Sequence, residues 1–198
     1  MSTDSADAVR SHMQTLARNA EVAADLVAGP AARYAELVRE TLLGGGKLLY
    51  VGNGGSAAAA EHIATEYVVR LRRERRALPA IALTATTATL SAAANDFGFE
   101  RAFARVFEAH ARPGDLLVLH STSGNSANLL ETVEVAARIP VTTVALLDRD
   151  GGRLAPLVDL AIKVPADDSA SVQALQLAIE HAVADLVDSW FAQDQVGG

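Results

Sequence analysis

The fold class is clearest in the segment Lys47-Leu48-Leu49-Tyr50-Val51-Gly52-Asn53-Gly54-Gly55-Ser56, where a short apolar run meets a glycine-rich turn. An Ala-rich stretch with helical character follows over about residues 57–70. A short apolar strand that turns directly into a helix is the repeating unit of a parallel sheet with helices on both faces. This segment therefore predicts an α/β fold, provided that the unit recurs along the chain.

The strand-and-helix unit does recur along the rest of the chain. Strands are predicted over residues 47–51, 80–83, 115–119, 141–147 and 160–164. Helices are predicted over residues 57–70, 128–138 and 169–191, with another helical stretch after residue 83. These elements predict a single three-layer α/β domain, residues 1–198, in which helices flank a five-stranded parallel sheet.

The two ends of the chain differ from this core. Two helices are predicted over about residues 5–43, because apolar side chains recur at helical spacing on both sides of Gly29-Pro30. Gly29-Pro30 is expected to separate these helices, and the glycines at 44–46 to end the second one. The sheet-and-helix core is then predicted over about residues 47–191, and the tail 192–198 is expected to fray.

The composition is that of one globular domain in an acidic protein. The chain has 198 residues, of which 50% are hydrophobic and 21% are charged, and this length can bury a sizeable core. The formal net charge of -7 argues against nucleic acid or an anionic membrane as a partner. The cationic run over residues 70–76 is expected to be mostly solvated surface.

The absence of cysteine, of a signal-like N-terminus and of a long apolar stretch limits the kinds of site and the cellular locations that the sequence allows. The chain has no cysteine, which excludes disulfides, thiolate zinc sites and cysteine nucleophiles. Residues 1–10 are polar and include Asp4 and Asp7, so they do not have the apolar segment of a secretion signal. No uncharged apolar stretch is long enough for a membrane span. We therefore expect a cytoplasmic protein without a membrane segment.

Two polar turns follow predicted strands. The first is Gly52–Ser56, and the second is His120-Ser121-Thr122-Ser123-Gly124-Asn125-Ser126. Ligands of α/β sheets bind at the carboxyl ends of the strands, and a helix N-terminus that follows such a turn favours an anion. The alternative is a pair of ordinary strand-to-helix loops, in which Gly, Ser and Asn are common.

The chemistry of the two turns favours a sugar monophosphate as the ligand. The second turn offers the hydroxyls of Ser121, Thr122, Ser123 and Ser126, which have no evident packing purpose. The first turn is neither a Walker phosphate loop, which needs a lysine, nor a dinucleotide-binding GxGxxG motif. Hydroxyls and amides with few cations suit a sugar monophosphate better than a triphosphate with magnesium.

Two helices could carry a reaction. His62 and Glu66 stand at positions i and i+4, on one face of the helix that follows the first turn. Gln173 and His181 can share a broad face of the last helix. The four side chains could bind a tetrahedral zinc ion; alternatively, Glu66 and His181 could act as a base and an acid. A surface hydrogen bond and a structural histidine are the non-catalytic alternative.

Four motifs, taken together, resemble a known family. They are Gly52–Ser56, Asn95-Asp96-Phe97-Gly98-Phe99, Ser121–Ser126, and Gln173 with His181. Their order and spacing, over about residues 10–191, are similar to those of the sugar isomerase (SIS) domain and specifically of the bacterial phosphoheptose (sedoheptulose 7-phosphate) isomerases. The resemblance implies the SIS fold and a homotetramer with active sites between subunits.

The resemblance also implies an activity and its residues. Family members interconvert sedoheptulose 7-phosphate and D-glycero-D-manno-heptose 7-phosphate through an enediol. Glu66 matches the family's catalytic carboxylate, and His181 matches its catalytic histidine. The implied substrate contacts are Asn53, Gly54, Gly55, Ser56, Arg70, Asn95, Asp96, Ser121, Thr122, Ser123, Ser126 and Gln173, and the implied zinc ligands are His62, Glu66, Gln173 and His181.

The chain departs from the family pattern at several positions but keeps both catalytic matches. The departures are Ala59, Thr65, Thr86, His120, Ala170 and Gln176. Three functions follow: this heptose isomerase, an isomerase of another phosphosugar in specialised metabolism, or a non-catalytic SIS protein that binds a phosphosugar or a protein. A relative that binds the bacterial replication initiator lacks the counterparts of Glu66 and His181, so their presence here favours an enzyme.

Overall fold

The structure is a computed structural model that describes residues 3–84, 86–166 and 168–193. Its strands are β1 (Leu48–Gly52), β2 (Ala80–Ala82), β3 (Leu116–His120), β4 (Thr142–Leu147) and β5 (Leu160–Lys163). They form one sheet in the order β2-β1-β3-β4-β5, in which every neighbouring pair is parallel. The predicted α/β fold with a five-stranded parallel sheet is therefore confirmed.

Helices cover both faces of this sheet. The helices of the described ranges are α1 (Thr3–Leu43), α2 (Gly55–Val68), α3 (Thr87–Phe97), α4 (Phe99–His110), α5 (Ala127–Ala136) and α6 (Ser169–Gln193), with a short 3-10 turn at Ala155–Leu157. Side chains alternate along β1, so Leu48 and Tyr50 pack with α1, α2 and α6, whereas Leu49 and Val51 pack with α4 and α5. Strand β1 thus contributes to two separate cores.

The N-terminal region corrects the prediction of two helices, because α1 is one continuous helix with Pro30 inside it. Proline lacks the amide hydrogen that a helix interior uses, and its ring crowds the preceding turn. The buried face nevertheless continues across this position, with Val27 before it and Tyr34 and Val38 after it in the core. Packing of α1 against the sheet and α6 therefore outweighs the local cost of Pro30.

The last helix is longer than predicted, since α6 reaches Gln193 rather than residue 191. Residues 192 and 193, which were predicted as part of a frayed tail, are therefore helical, and the rest of that predicted tail, residues 194–198, lies outside the described ranges. Across the described ranges, none of the helices is apolar over a length that could span a bilayer.

The cationic run after α2 is mostly exposed, as predicted, with one exception. Arg75 is buried, and its Nε lies 2.6 Å from Oδ1 of Asp188 on α6. The other oxygen of Asp188 accepts hydrogen bonds from three successive backbone amides, residues 71–73. Arg75 also donates to the carbonyl oxygen of Glu66, at 2.6 Å. This buried pair therefore fixes the end of the helix that carries Glu66.

Candidate active site

The two polar turns lie side by side, because β1 and β3 are neighbours in the sheet. Gly52, the last residue of β1, pairs in register with His120, the last residue of β3. Asn53 in the first turn exchanges two amide hydrogen bonds, of 2.9 and 2.8 Å, with Asn128 on α5. Asn128 was not among the predicted site residues; it is buried and joins the first turn to the helix that follows the second.

The first turn is shaped by glycine. A Cβ atom at Gly52 would lie 2.7 Å from the backbone of Ser56, so a side chain there has no room. Gly54 has φ +55°, in the left-handed region that favours glycine. Helix α2 begins directly at Gly55, and Ser56 is buried in its first turn. Backbone rather than side chains therefore forms the surface of this turn.

Gln173 on α6 lies against the first turn. A Cβ atom at Gly55 would meet the amide oxygen of Gln173 at 2.6 Å, so the side chain occupies the space that the glycine leaves. The structure thus brings a predicted contact from the last helix to the start of α2. Gly55 and Gln173 are too far apart in the sequence for their contact to be predicted from residue spacing.

The second turn is held in shape by its own hydroxyls. Oγ of the buried Ser121 accepts a hydrogen bond from the amide of Gly124, at 3.0 Å. Oγ of Ser123 accepts a weaker one from the amide of Asn125, at 3.3 Å. Thr122 and Ser126 are half-buried, and Ser123 is exposed. Bonds within the turn therefore hold its shape, and three of its four hydroxyl residues are accessible.

The loop after β4 supports the second turn from behind. Gly124 has φ +63°, and a Cβ atom on it would lie 2.2 Å from the carbonyl oxygen of Gly151. The amide of Leu154 donates to the carbonyl oxygen of Gly124, at 2.9 Å, and that of Arg153 donates to Oδ1 of Asn125, at 3.1 Å. These contacts of the loop after β4 were not predicted, although the pair Gly151-Gly152 is typical of a tight turn.

Helices α2 and α6 bring three predicted residues together. Nε2 of His62 lies 2.9 Å from Nε2 of His181 and 3.5 Å from Oε1 of Glu66. The two imidazole rings meet edge to face, with centroids 5.1 Å apart. His62 is exposed, whereas Glu66 and His181 are half-buried. The i, i+4 spacing on α2 predicted one half of this cluster, and the fold supplies the other half.

The cluster has the donor set of a zinc site. One ligand atom from each of His62, Glu66 and His181 lies within 4.8 Å of the others. Two imidazole nitrogens and a carboxylate oxygen are ligands that zinc prefers, and three protein ligands leave a position free for water or substrate. The residues present therefore fit the metal that the resemblance implies.

Three predicted substrate contacts have partners outside this cluster. The side chain of Asn95 on α3 donates to Oδ1 of Asp96, at 2.9 Å, and both residues are exposed. Arg70, just beyond α2 and four residues after Glu66, forms an ion pair with Glu74 at 3.5 Å. In the ranges that the structure describes, no hydrogen bond or ion pair connects these three residues to the cluster.

Gln176 on α6, one of the departures from the family pattern, has a structural role here. It is buried, and its amide nitrogen donates to the carbonyl oxygens of Ser121, at 3.0 Å, and Leu146, at 2.8 Å. These carbonyls stand at the carboxyl ends of β3 and β4. Gln176 therefore connects α6 by hydrogen bonds to the ends of β3 and β4, next to the second turn.

Known proteins resemble both this sequence and this fold. The family model described as the SIS domain matches residues 6–148. The phosphoheptose isomerase of Geotalea daltonii is 50% identical over 153 residues, which cover 77% of this chain and 80% of that protein.

Two solved structures of phosphoheptose isomerases also match the whole fold. The one from Neisseria gonorrhoeae is 38% identical with a TM-score of 0.88, and covers 92% of this chain and 98% of its own. The one from Francisella tularensis is 32% identical with a TM-score of 0.90, and covers 96% of this chain and 100% of its own. With its glycine- and serine-lined turns and its His-Glu-His cluster, the chain therefore belongs to the SIS domain family and, within it, to the phosphoheptose isomerases.

Proposed function

We propose that this isomerase converts sedoheptulose 7-phosphate to D-glycero-D-manno-heptose 7-phosphate. The observation that carries the proposal is the convergence of Glu66 and His181 from two different helices, one of which begins at the first of two neighbouring turns suited to a phosphate ester. A ketose-aldose isomerisation needs a base near one carbon and an acid near the neighbouring carbonyl oxygen. The names of the related proteins point to the same reaction.

The second turn is proposed to hold the substrate by its phosphate. Ser121, Thr122, Ser123 and Ser126 supply hydroxyls, and the N-terminus of α5 adds the favourable dipole for an anion. Asn53, Gly54, Gly55 and Ser56 in the first turn, together with Gln173, would line the sugar. If the phosphate at C7 is bound by this turn, the other end of the seven-carbon chain, where C1 and C2 react, is free to reach Glu66 and His181.

Glu66 and His181 are proposed to move the protons. Glu66 removes a proton from C1 of the ketose while His181 donates one to the carbonyl oxygen at C2, which gives the enediol. Return of the proton from Glu66 to C2, with loss of the C1 hydroxyl proton to His181, gives the aldose. General acid-base assistance is worth about 10²–10⁴-fold for each group, so loss of either side chain should nearly abolish turnover.

A zinc ion is the proposed cofactor. His62, Glu66 and His181 would hold it, and Gln173, on the same helix as His181, is the proposed fourth ligand. When bound, zinc supplies Lewis-acid stabilisation of negative charge on oxygen.

A homotetramer is the proposed assembly. An apolar groove of about 390 Å³ between α1 and α6 is lined by small and branched residues, among them Ala20, Ala24, Val27, Leu175, Ile179 and Leu186. Exposed apolar surface of this kind is typical of subunit contacts. Asn95, Asp96 and Arg70 are proposed to complete the active site of a neighbouring subunit, since in the described residues none of them forms a hydrogen bond or ion pair with the cluster of its own chain. Because sugar phosphates are made and used inside the cell, we place the reaction in the cytoplasm.

Turnover and binding, measured together, test the proposed function. Purified protein is mixed with sedoheptulose 7-phosphate, with and without zinc, and aldose formation is followed by NMR. Wild-type protein should form the aldose, whereas Glu66→Gln and His181→Ala should not, and all three should bind the substrate with similar affinity in calorimetry.

Two other outcomes would redirect the proposal. Turnover of a different ketose phosphate, but not of sedoheptulose 7-phosphate, would assign another phosphosugar, which departures such as Ala59, Thr65, Thr86 and Ala170 make the second candidate. Binding without turnover of any ketose phosphate would assign a non-catalytic role.

A further inference from the structure

A second polar cluster lies buried beneath the candidate active site. Nε2 of His120 is 2.7 Å from Oε1 of Glu180, and their side chains are 1% and 0% exposed. The hydroxyl of Tyr34 donates to Glu180, at 3.1 Å to its nearer oxygen, and lies 3.1 Å from the hydroxyl of Tyr50. Residues from α1, β1, β3 and α6 therefore meet in one hydrogen-bonded network that the proposed reaction does not use.

The tyrosines of this network act as donors. Burial raises the pKa of Tyr34 well above its ordinary value, and the charge of Glu180 raises it further. Burial likewise raises the pKa of Tyr50. Both hydroxyls therefore stay protonated, and the carboxylate of Glu180 accepts hydrogen bonds from a tyrosine and from an imidazole.

Stability alone does not explain a buried carboxylate and imidazole. Removing both groups from water is costly, and apolar residues of similar volume often stabilise a core as well or better. Most of the side chains that pack around the pair are apolar, apart from the tyrosine hydroxyls. The pair therefore requires a different explanation, and its position supplies one.

The pair joins the two segments that carry the proposed phosphate grip and the proposed acid. His120 is the last residue of β3 and directly precedes Ser121 in the second turn. Glu180 directly precedes His181 on α6. One helical turn earlier, Gln176 already bonds to the carbonyl oxygen of Ser121, at 3.0 Å. Helix α6 is thus fastened to the end of β3 at two successive turns.

We propose that His120 and Glu180 are positioning residues that set the distance between His181 and the phosphate-binding turn. The inference rests on the proposed function, because it assigns the pair a role through the residues of that reaction. Neither side chain touches substrate, since both are buried. Misplacement of a reacting group by about 1 Å can cost up to about 10²-fold in rate, so a bond that fixes this distance should act on kcat.

Two variants isolate the bond. Glu180→Gln removes the charge but keeps an oxygen that can accept from His120. The double variant Glu180→Gln/His120→Leu removes the hydrogen bond between residues 120 and 180, while the amide oxygen at position 180 can still accept a hydrogen bond from Tyr34. We expect Glu180→Gln to keep kcat within about twofold of wild type, and the double variant to lose about tenfold in kcat with KM within about twofold.

Asp115→Asn is the matched control. Asp115 is also buried, but it directly precedes β3, at the end of the strand opposite to His120, and it pairs with Lys47 at 2.5 Å. This variant should lose stability without any change in kcat. Thermal unfolding of each protein ensures that kcat is compared at equal folded fraction. If the double variant does not fold, His120→Asn, whose shorter side chain does not reach Glu180, replaces it with the same expected result.

The outcomes separate this inference from the proposed function. If wild-type protein turns over no ketose phosphate, the proposed function fails and the inference fails with it. If wild type is active and the double variant has the same kcat and KM as wild type, only the inference is overturned. A loss of kcat in the double variant that Glu180→Gln does not share, at unchanged KM, supports it.

Discussion

Gly124 occupies a position that no residue with a side chain can share. Its φ of +63° lies in the left-handed region, and a Cβ atom would collide with the carbonyl oxygen of Gly151 at 2.2 Å. We expect Gly124→Ala to destabilise the fold by about 1–3 kcal/mol and to weaken substrate binding at least tenfold, because the turn must shift. Chemical denaturation and calorimetry with sedoheptulose 7-phosphate measure the two effects. Unchanged substrate affinity would show that this turn does not bind the phosphate.

A second residue-scale prediction concerns Asp188. Burial by itself would raise the pKa of its carboxyl group, but hydrogen bonds from the backbone of Arg72 and the side chain of Arg75 lower it below the ordinary 3.8. A lowered pKa means that the stability from this carboxylate is present above pH 3.8 and is lost as the pH falls through the lowered value.

Urea denaturation across the acid range tests this prediction. At pH 7, Asp188→Asn should reduce the free energy of unfolding by about 3–5 kcal/mol, because it leaves Arg75 buried without a charged partner. The difference from wild type should shrink below pH 3.8. Asp185→Asn, which removes a more exposed carboxylate from the same helix, should cost less than about 1 kcal/mol. A difference for Asp188→Asn that is independent of pH would contradict this account.

A functional or structural role of a single residue could be predicted from the sequence only where its partner lies nearby in the chain. His62 and Glu66 were found from their spacing, because helical periodicity places them on one face. Asn128 and Gln176 were missed, because their partners Asn53 and Ser121 lie far away in sequence and only the fold brings them together. The role of Arg75 was missed for the same reason, since six neighbouring residues gave only a generic charged run.

At the scale of elements, the strands were predictable because each is a short apolar run that ends in a turn. Their observed bounds differ from the predicted ones by about a residue, as expected for element ends. Helix α1 was predicted as two helices, because Pro30 is a local signal against continuation. The packing that overrides it, through residues such as Val27 and Tyr34, depends on the completed sheet and cannot be read from the local sequence.

The continuity of α1 places Gly29 inside the helix, directly before Pro30. Apart from its chain neighbours and the helix's own backbone, a Cβ atom there would meet nothing within 4 Å. The ring of Pro30, however, crowds the Cβ of the residue before it and disfavours helical backbone there. Gly29→Ala should therefore not give the gain of about 0.4–1 kcal/mol in the free energy of unfolding that this substitution gives where it causes no strain. Denaturation of the variant beside wild type measures the change, and a gain in that range would contradict this prediction.

At the scale of the whole molecule, the proposed assembly decides whether the site is complete. Ala24 is exposed in one chain and lines the groove between α1 and α6. Ala24→Arg should dissociate the proposed tetramer, because a charge in an apolar contact is costly to bury. Asp25→Arg, the control, adds a cation to the neighbouring position outside that groove.

Sedimentation and activity together test this prediction. Wild type and Asp25→Arg should sediment as four chains of 20.7 kDa each, and Ala24→Arg as a smaller species. Turnover should fall with dissociation, because Asn95, Asp96 and Arg70 would no longer reach a neighbouring site. A fully active monomer would show that each chain holds a complete site.

Proton NMR in deuterium oxide tests most directly whether the carboxylate on α2 carries a proton from C1 to C2 of the substrate. Wild-type protein and Glu66→Gln are each incubated with sedoheptulose 7-phosphate at equal folded concentration. Wild type is predicted to produce the aldose with deuterium at C2, carried there by Glu66 after exchange with solvent, and Glu66→Gln is predicted to produce none. Aldose formation by Glu66→Gln at the wild-type rate would contradict the account.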